Sequence, residues 1–230
     1  MPREKPADTK KMPVAVPIDG QSLPGDLGLP PEPQGIVLFA HGSGSSRHSP
    51  RNQYVARTLE RHHLATLLID LLTPEEEVID DRTAEYRFDI PMLAGRLVTI
   101  VDWLRRRKDT ASLPIGLFGA STGGGAALIA AAERPHEIAA VVSRGGRPDL
   151  ADAALPKVTT PTLLIVGGFD TPVIEMNRDA MKQMHGEVKL EIVPGATHLF
   201  EEPGTLERVA ELASNWFAQH LQPTVVTRRS

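Results

Sequence analysis

The chain has 230 residues, of which 41% are hydrophobic and 23% charged, with a formal net charge of −4. That length suits a single domain with a sizeable core. The mild negative charge argues against nucleic acid, which selects a basic face, and aromatics at 4% offer no stacking platform for bases or sugars. The absence of cysteine excludes disulfides, thiolate metal sites and a cysteine nucleophile. No apolar run approaches the roughly 18 residues of a membrane span. Residues 1–12 are charged and proline-bearing, without the apolar centre of a signal peptide, so the expected location is cytoplasmic.

Residues 1–11 read as a disordered tail, 12–222 as one domain and 223–230 as a second tail. Val14 to Ile18 and Leu23 to Leu29 are short, proline-punctuated segments suited to an edge hairpin. Gly35 to Ala40 is a continuous apolar run, the pattern of a strand buried on both faces, and Ala65 to Asp70 is another. Between them, Arg51 to Arg61 carries Val55 and Leu59 among charges and predicts a surface helix. The acidic stretch 73–89 is expected to be a solvated loop, with a small flap over the site as its functional alternative. Ile90 to Lys108 has apolar residues at the helical period (Ile90, Leu93, Leu97, Ile100, Val101, Leu104), and its closing Arg105 to Lys108 run complements the helix dipole. Further strands are expected at Ile138 to Ser143, Thr162 to Gly167 and Lys189 to Val193. Helices are expected at Val173 to His185 and Gly204 to Leu221. Strands alternating with helices imply an α/β protein with a mostly parallel sheet covered on both faces.

The stretch from Pro114 to Ala127 organises the rest. A buried strand breaks at a serine flanked by glycines and resumes as an alanine-rich helix, and Gly119-Ala120-Ser121-Thr122-Gly123 fits the G-x-S-x-G nucleophile elbow. A serine on so sharp a turn is strained, and only glycine fits two residues to either side. The alternative is a glycine-rich turn that merely packs a helix on a strand.

Serine needs a base, and the base an orienting acid. Asp170 follows the Thr162 strand and His198 follows the Lys189 strand. In open α/β sheets the ligand lies outside the carboxyl ends of strands, where all three residues fall. The chain order Ser121, Asp170, His198 is that of α/β-hydrolases. Asp170 could instead cap the following helix, and His198 could be an ordinary loop histidine. Asp149 is the reserve acid and Glu175 a weaker one. The tetrahedral oxyanion needs donors: the Thr122 amide, and an amide of His41-Gly42-Ser43-Gly44, with Ser43 first and Gly44 second. Arg47, Arg144 and Arg147 follow strand ends and could grip a substrate carboxylate. Arg144 is the preferred substrate-binding candidate, with Arg47 beside it, against surface solvation or structural pairing.

On Leu38 to Gly44, Gly119 to Gly123, Gly167 to Asp170 and Gly195 to His198, the chain resembles the dienelactone-hydrolase-like branch of small α/β-hydrolases from about Val14 to Leu221. The resemblance implies an α/β-hydrolase fold with about eight strands, helices on both faces and a minimal cap. It carries the family's nucleophile, acid, base and oxyanion donors to Ser121, Asp170, His198 and the Thr122 and Ser43 amides. Dienelactone hydrolases themselves use cysteine where this chain has Ser121. The departure favours a general serine esterase acting on a small-molecule acyl substrate, ester or thioester, without metal or organic cofactor and as a monomer or homodimer. A peptidase or amidase on the same triad is the rival within enzymes. A binding or scaffold protein on a hydrolase fold is the rival outside them. A nucleotide-binding module is disfavoured, because the turn lacks the P-loop Lys and the G-x-G-x-x-G spacing.

Overall fold

The computed structural model describes residues 9–222. It begins with an antiparallel hairpin, β1 (Lys10–Ile18) and β2 (Gln21–Leu29), turning at Asp19 and Gly20, both at positive φ as a two-residue hairpin turn requires. The strand therefore starts inside the stretch expected to be a tail. An ion pair anchors it: the half-exposed Lys11 Nζ meets the buried carboxylate of Glu60, which also accepts from Thr66 Oγ1 at 2.5 Å. Gly28 leaves the space for it, since a Cβ there would lie 2.3 Å from Glu60 Oε1. The remainder of the two expected tails, residues 1–8 and 223–230, lies outside the described residues.

The chain continues through β3 (Gly35–Ala40), α1 (Pro50–Arg61), β4 (Leu64–Ile69), α2 (Pro74–Thr83), α3 (Ile90–Arg106), β5 (Ile115–Ala120), α4 (Thr122–Glu133) and β6 (Ile138–Arg144). A 3₁₀ segment, Pro148–Lys157, kinks at Asp152. Then come β7 (Thr162–Gly167), α5 (Thr171–Met181), β8 (Val188–Val193) and α6 (Thr205–His220). The sheet runs β1-β2-β4-β3-β5-β6-β7-β8, antiparallel only where β2 meets β1 and β4, and it does not close. This is the expected α/β-hydrolase fold, with eight strands and helices on both faces.

Strict alternation splits each central strand between two cores. Ile36, Leu38, Leu117 and Val141 pack under α3 and α4, whereas Val37, Phe39, Phe118 and Val142 pack under α1 and α6. Burial on both faces explains why these strands read as unbroken apolar runs.

The stretch expected to be an irregular loop contains α2. Periodicity misses this helix because it buries almost nothing of its own, Asp80 excepted. Its ends hold it. Thr73 and Glu76 form a reciprocal capping box, and Glu76 pairs with Arg96 at 2.5 and 2.7 Å. At the far end, buried Asp80 accepts from the Tyr86 and Arg87 amides at 2.8 and 2.9 Å and from Arg87 Nε at 2.5 Å.

Strand order reverses between β3 and β5. The chain leaves β3 toward β4 on one side, and after β5 it proceeds to β6, β7 and β8 on the other. A crevice opens at such a switch point, outside the carboxyl ends of the strands. The loop after β3 and the turn after β5 face each other across it.

Candidate active site

Ser121 sits at φ 50° and ψ −121°, a left-handed-side conformation that costs a non-glycine residue of order 1–3 kcal/mol. Three backbone bonds hold it there: its N–H donates to Arg144 O at 3.2 Å, and its carbonyl accepts from the Gly124 and Arg147 amides, both at 3.0 Å. The flanking glycines are steric necessities. A Cβ on Gly119 would lie 2.6 Å from Gly123 O, and one on Gly123 would lie 2.2 Å from Ala40 O. As the first residue of α4, Thr122 has an amide without an intrahelical acceptor, turned to the same end of the helix as Ser121.

Asp170 stands at the N-cap of α5, yet its side chain makes no capping bond. Its Oδ2 instead accepts from His198 Nδ1 at 2.6 Å. Loop interlacing brings the two together. Gly168 N donates to Val193 O at 2.8 Å and Phe169 N to Ala196 O at 3.0 Å. A side chain on Gly167 would meet the Ala196 and Thr197 carbonyls at 2.5 Å. The His198 ring lies against Gly145, where a Cβ would be 3.4 Å from His198 Cε1, and Gly145 follows the residue whose carbonyl holds Ser121. No hydrogen bond yet joins Ser121 Oγ to His198 among the described residues; such contacts are commonly loose before substrate arrives. The other acids are engaged elsewhere: Asp149 takes Arg147 through two bonds of 2.7 and 2.8 Å, and Glu175 takes Arg178 at 2.6 Å.

Across the crevice, His41 Nε2 accepts the Leu71 amide at 3.0 Å while Nδ1 lies 3.0 Å from Gly42 O. Burial lowers its pKa, only partly opposed by the Gly42 bond and Asp70, which leaves a neutral ring that braces the loop. Gly42 packs on the elbow, where a Cβ would be 3.0 Å from Ser121 Cβ. The Ser43 amide, expected to face the substrate, donates instead to Thr122 Oγ1 at 2.9 Å. Gly44 adopts φ 66° beside Arg87. A cavity of about 240 Å³ lies on this side, lined by the 41–46 loop with Leu72, Asp80, Arg87 and Leu93.

The two arginines part ways. Arg47, a candidate for substrate, is committed to the protein: its side chain pairs with buried Asp70 and reaches Asp26 at 3.5 Å, and its amide donates to Asp70 at 2.6 Å. Arg144, at the end of β6, is 7% exposed, and its side chain makes no hydrogen bond or ion pair to the described residues. The Thr122 hydroxyl and the His41 ring make loop contacts that sequence reasoning missed. Neither spacing nor residue type distinguishes them.

An open parallel-centred sheet, a strained serine between strand and helix, and an Asp–His pair at neighbouring strand ends define the α/β-hydrolase class. The chain belongs to the dienelactone hydrolase family, which it matches over residues 57–222. It is 61% identical to the dienelactone hydrolase of Anabaena variabilis ATCC 29413, with a TM-score of 0.92 over 93% of this chain and 99% of that one. Est1E from Butyrivibrio proteoclasticus shares the fold at 20% identity, with a TM-score of 0.76 over 90% of this chain and 98% of that one. Two Mycobacterium tuberculosis proteins, of strains CDC 1551 / Oshkosh and ATCC 25618 / H37Rv and both named "Putative phosphoribosyl transferase", are 60% identical over 197 residues. Those residues are 86% of this chain but 44% of theirs, so the chain spans less than half the length of these relatives.

Proposed function

We propose that the protein is a serine hydrolase of carboxylic esters or thioesters, with Ser121 as nucleophile, His198 as base and Asp170 as orienting acid. The observation that carries the reading is the Asp170 carboxylate at an N-cap position, turned away from the helix and onto His198 Nδ1 at 2.6 Å. A carboxylate that only capped α5 would bond the α5 amides. Bound to Nδ1–H, it fixes the tautomer that leaves Nε2 free to accept a proton.

In this mechanism substrate draws Ser121 Oγ and His198 Nε2 into hydrogen-bond contact. Nε2 takes the hydroxyl proton as Oγ attacks the acyl carbon, and Asp170 stabilises the imidazolium. The developing oxyanion is met by the Thr122 amide and by an amide of the 42–44 loop. His198 returns the proton to the leaving group, and water deprotonated by the same ring cleaves the acyl-enzyme. The Ser43 amide can serve only after Thr122 Oγ1 releases it, so a small loop adjustment accompanies substrate binding. The cavity beside the loop is sized for a small acyl or leaving group, and exposed Phe169 and Leu199 give the Asp170 and His198 side an apolar rim. The activity named for the mycobacterial relatives belongs to chains of which the matched residues make up only 44%; we read the present chain as the counterpart of a hydrolytic portion.

The test is labelling with a fluorophosphonate and peptide mass spectrometry. An adduct on Ser121, absent in Ser121→Ala and in His198→Ala, supports the assignment. Undiminished ester turnover by Ser121→Ala would refute it.

A further inference from the structure

Arg144 poses a problem that the proposed triad leaves unsolved. Its guanidinium is buried, and Nε and Nη1 are shielded from solvent without a hydrogen-bond partner among the described residues. No carboxylate pairs with it among the described residues. The charge beside it has the same sign: Arg51 from α1, whose Nη1 holds Glu201 at 3.2 Å while its Nε is itself buried and unpartnered. Burial first, and Arg51 second, push the Arg144 pKa down to about 10, so the group stays protonated at neutral pH. The ring of Phe200 lies 6.0 Å away, from centroid to guanidinium carbon. An uncompensated buried cation is costly, and a distant ring offsets only part of that.

The location gives the cost a purpose. Arg144 ends β6, its carbonyl holds the Ser121 amide, and the next residue packs on His198. Phe200 is two residues beyond His198 and is fixed at φ 56°, a strained conformation for a buried aromatic. Strain and an unpaired charge thus meet beside the proposed base. A planar guanidinium with free donors is shaped for a forked bond to a carboxylate or phosphate group.

We propose that Arg144, with Arg51 beside it, is a subsite for a single oxyanion group, a carboxylate or phosphate, next to the His198 loop. The group arrives either on the ester substrate, a source that rests on the hydrolase reading, or as a free ion that completes the site.

Thermal denaturation of the full chain with added inorganic phosphate at constant ionic strength tests binding without requiring turnover. The wild-type Tm is expected to rise by about 5 °C near saturation, and the Arg144→Met variant to show no rise. Hydrolysis of 4-nitrophenyl hydrogen succinate against 4-nitrophenyl butyrate then separates the sources. A substrate anion predicts at least about tenfold preference for the succinate ester, competitive inhibition of that ester by phosphate, and loss of the preference in Arg144→Met. A free ion predicts phosphate stabilisation with no preference between the esters. No phosphate shift and no ester preference in the wild type would overturn the proposal, as would a shift that persists in Arg144→Met. If that variant fails to fold, the wild-type shift and ester ratio decide. A phosphate shift in a protein that cleaves neither ester would uphold the subsite and sink the hydrolase reading alone.

Discussion

Ser121 and its neighbours show how much of a site can rest on the absence of a Cβ. Gly123 faces the Ala40 carbonyl at a distance no methyl tolerates, so Gly123→Ala is expected to displace the elbow. The cost should be about 2 kcal/mol or more, read as a lower urea midpoint with loss of fluorophosphonate labelling. Asp170 gives a cleaner test, because its substitution leaves packing intact. Asp170→Asn should keep the fold and reduce kcat by a factor on the order of 10⁴, since the amide favours the wrong imidazole tautomer. A loss below tenfold in steady-state ester kinetics would return Asp170 to a merely structural role. These residues are legible in the chain because the chemistry proposed for them constrains residue type. Arg47 is not, because an arginine after a strand looks the same whether it meets a ligand or, as here, a buried aspartate.

Among the elements, α2 escapes a reading based on apolar period because it has no apolar face to bury. Its stability is local and electrostatic, which makes it sensitive to small changes at its ends. Thr73→Ala removes one half of the capping box and should cost about 1 kcal/mol, measured by urea denaturation, with hydrogen exchange localising the loss to residues 74–83. Asp80 supplies a pH signature. Burial alone would raise its pKa, but the Arg87 and Tyr86 amides together with the Arg87 guanidinium outweigh it and hold the carboxyl below its ordinary value. A folded pKa below the unfolded one gives stability that is present above the unfolded value, near 4, and lost as pH falls through the folded value. Asp80→Asn is therefore expected to lower the urea midpoint at pH 7 and to flatten the acid limb below about pH 4. An unchanged acid limb would show that Asp80 does not contribute to it. Lys11 teaches the same lesson in a strand: a charge that reads as tail is paired with a buried carboxylate, Glu60, 49 residues away.

For the whole molecule, α6 seals one face of the sheet over its centre. Phe217 is fully buried with its ring directly on Gly116, where a Cβ would come within 2.6 Å. Phe217→Ala should cost about 3–5 kcal/mol in a single cooperative transition, with fluorophosphonate reactivity per folded molecule retained. A separate early transition would mean that α6 unfolds on its own. The sequence by itself determined the alternation of strands and helices, the two-faced burial of the central strands and the strand-end positions of Ser121, Asp170 and His198. Each of these is written in local periodicity or in the steric demand of one turn. Tertiary structure alone decided that Asp170 turns to His198 rather than to its own helix, that Ser43 meets the Thr122 hydroxyl, that Arg47 is paired and that the Arg144 side chain has no hydrogen-bond partner among the described residues. Such outcomes depend on which groups distant parts of the chain bring within about 3 Å, and hydrogen bonding at that range carries no imprint in residue type or spacing.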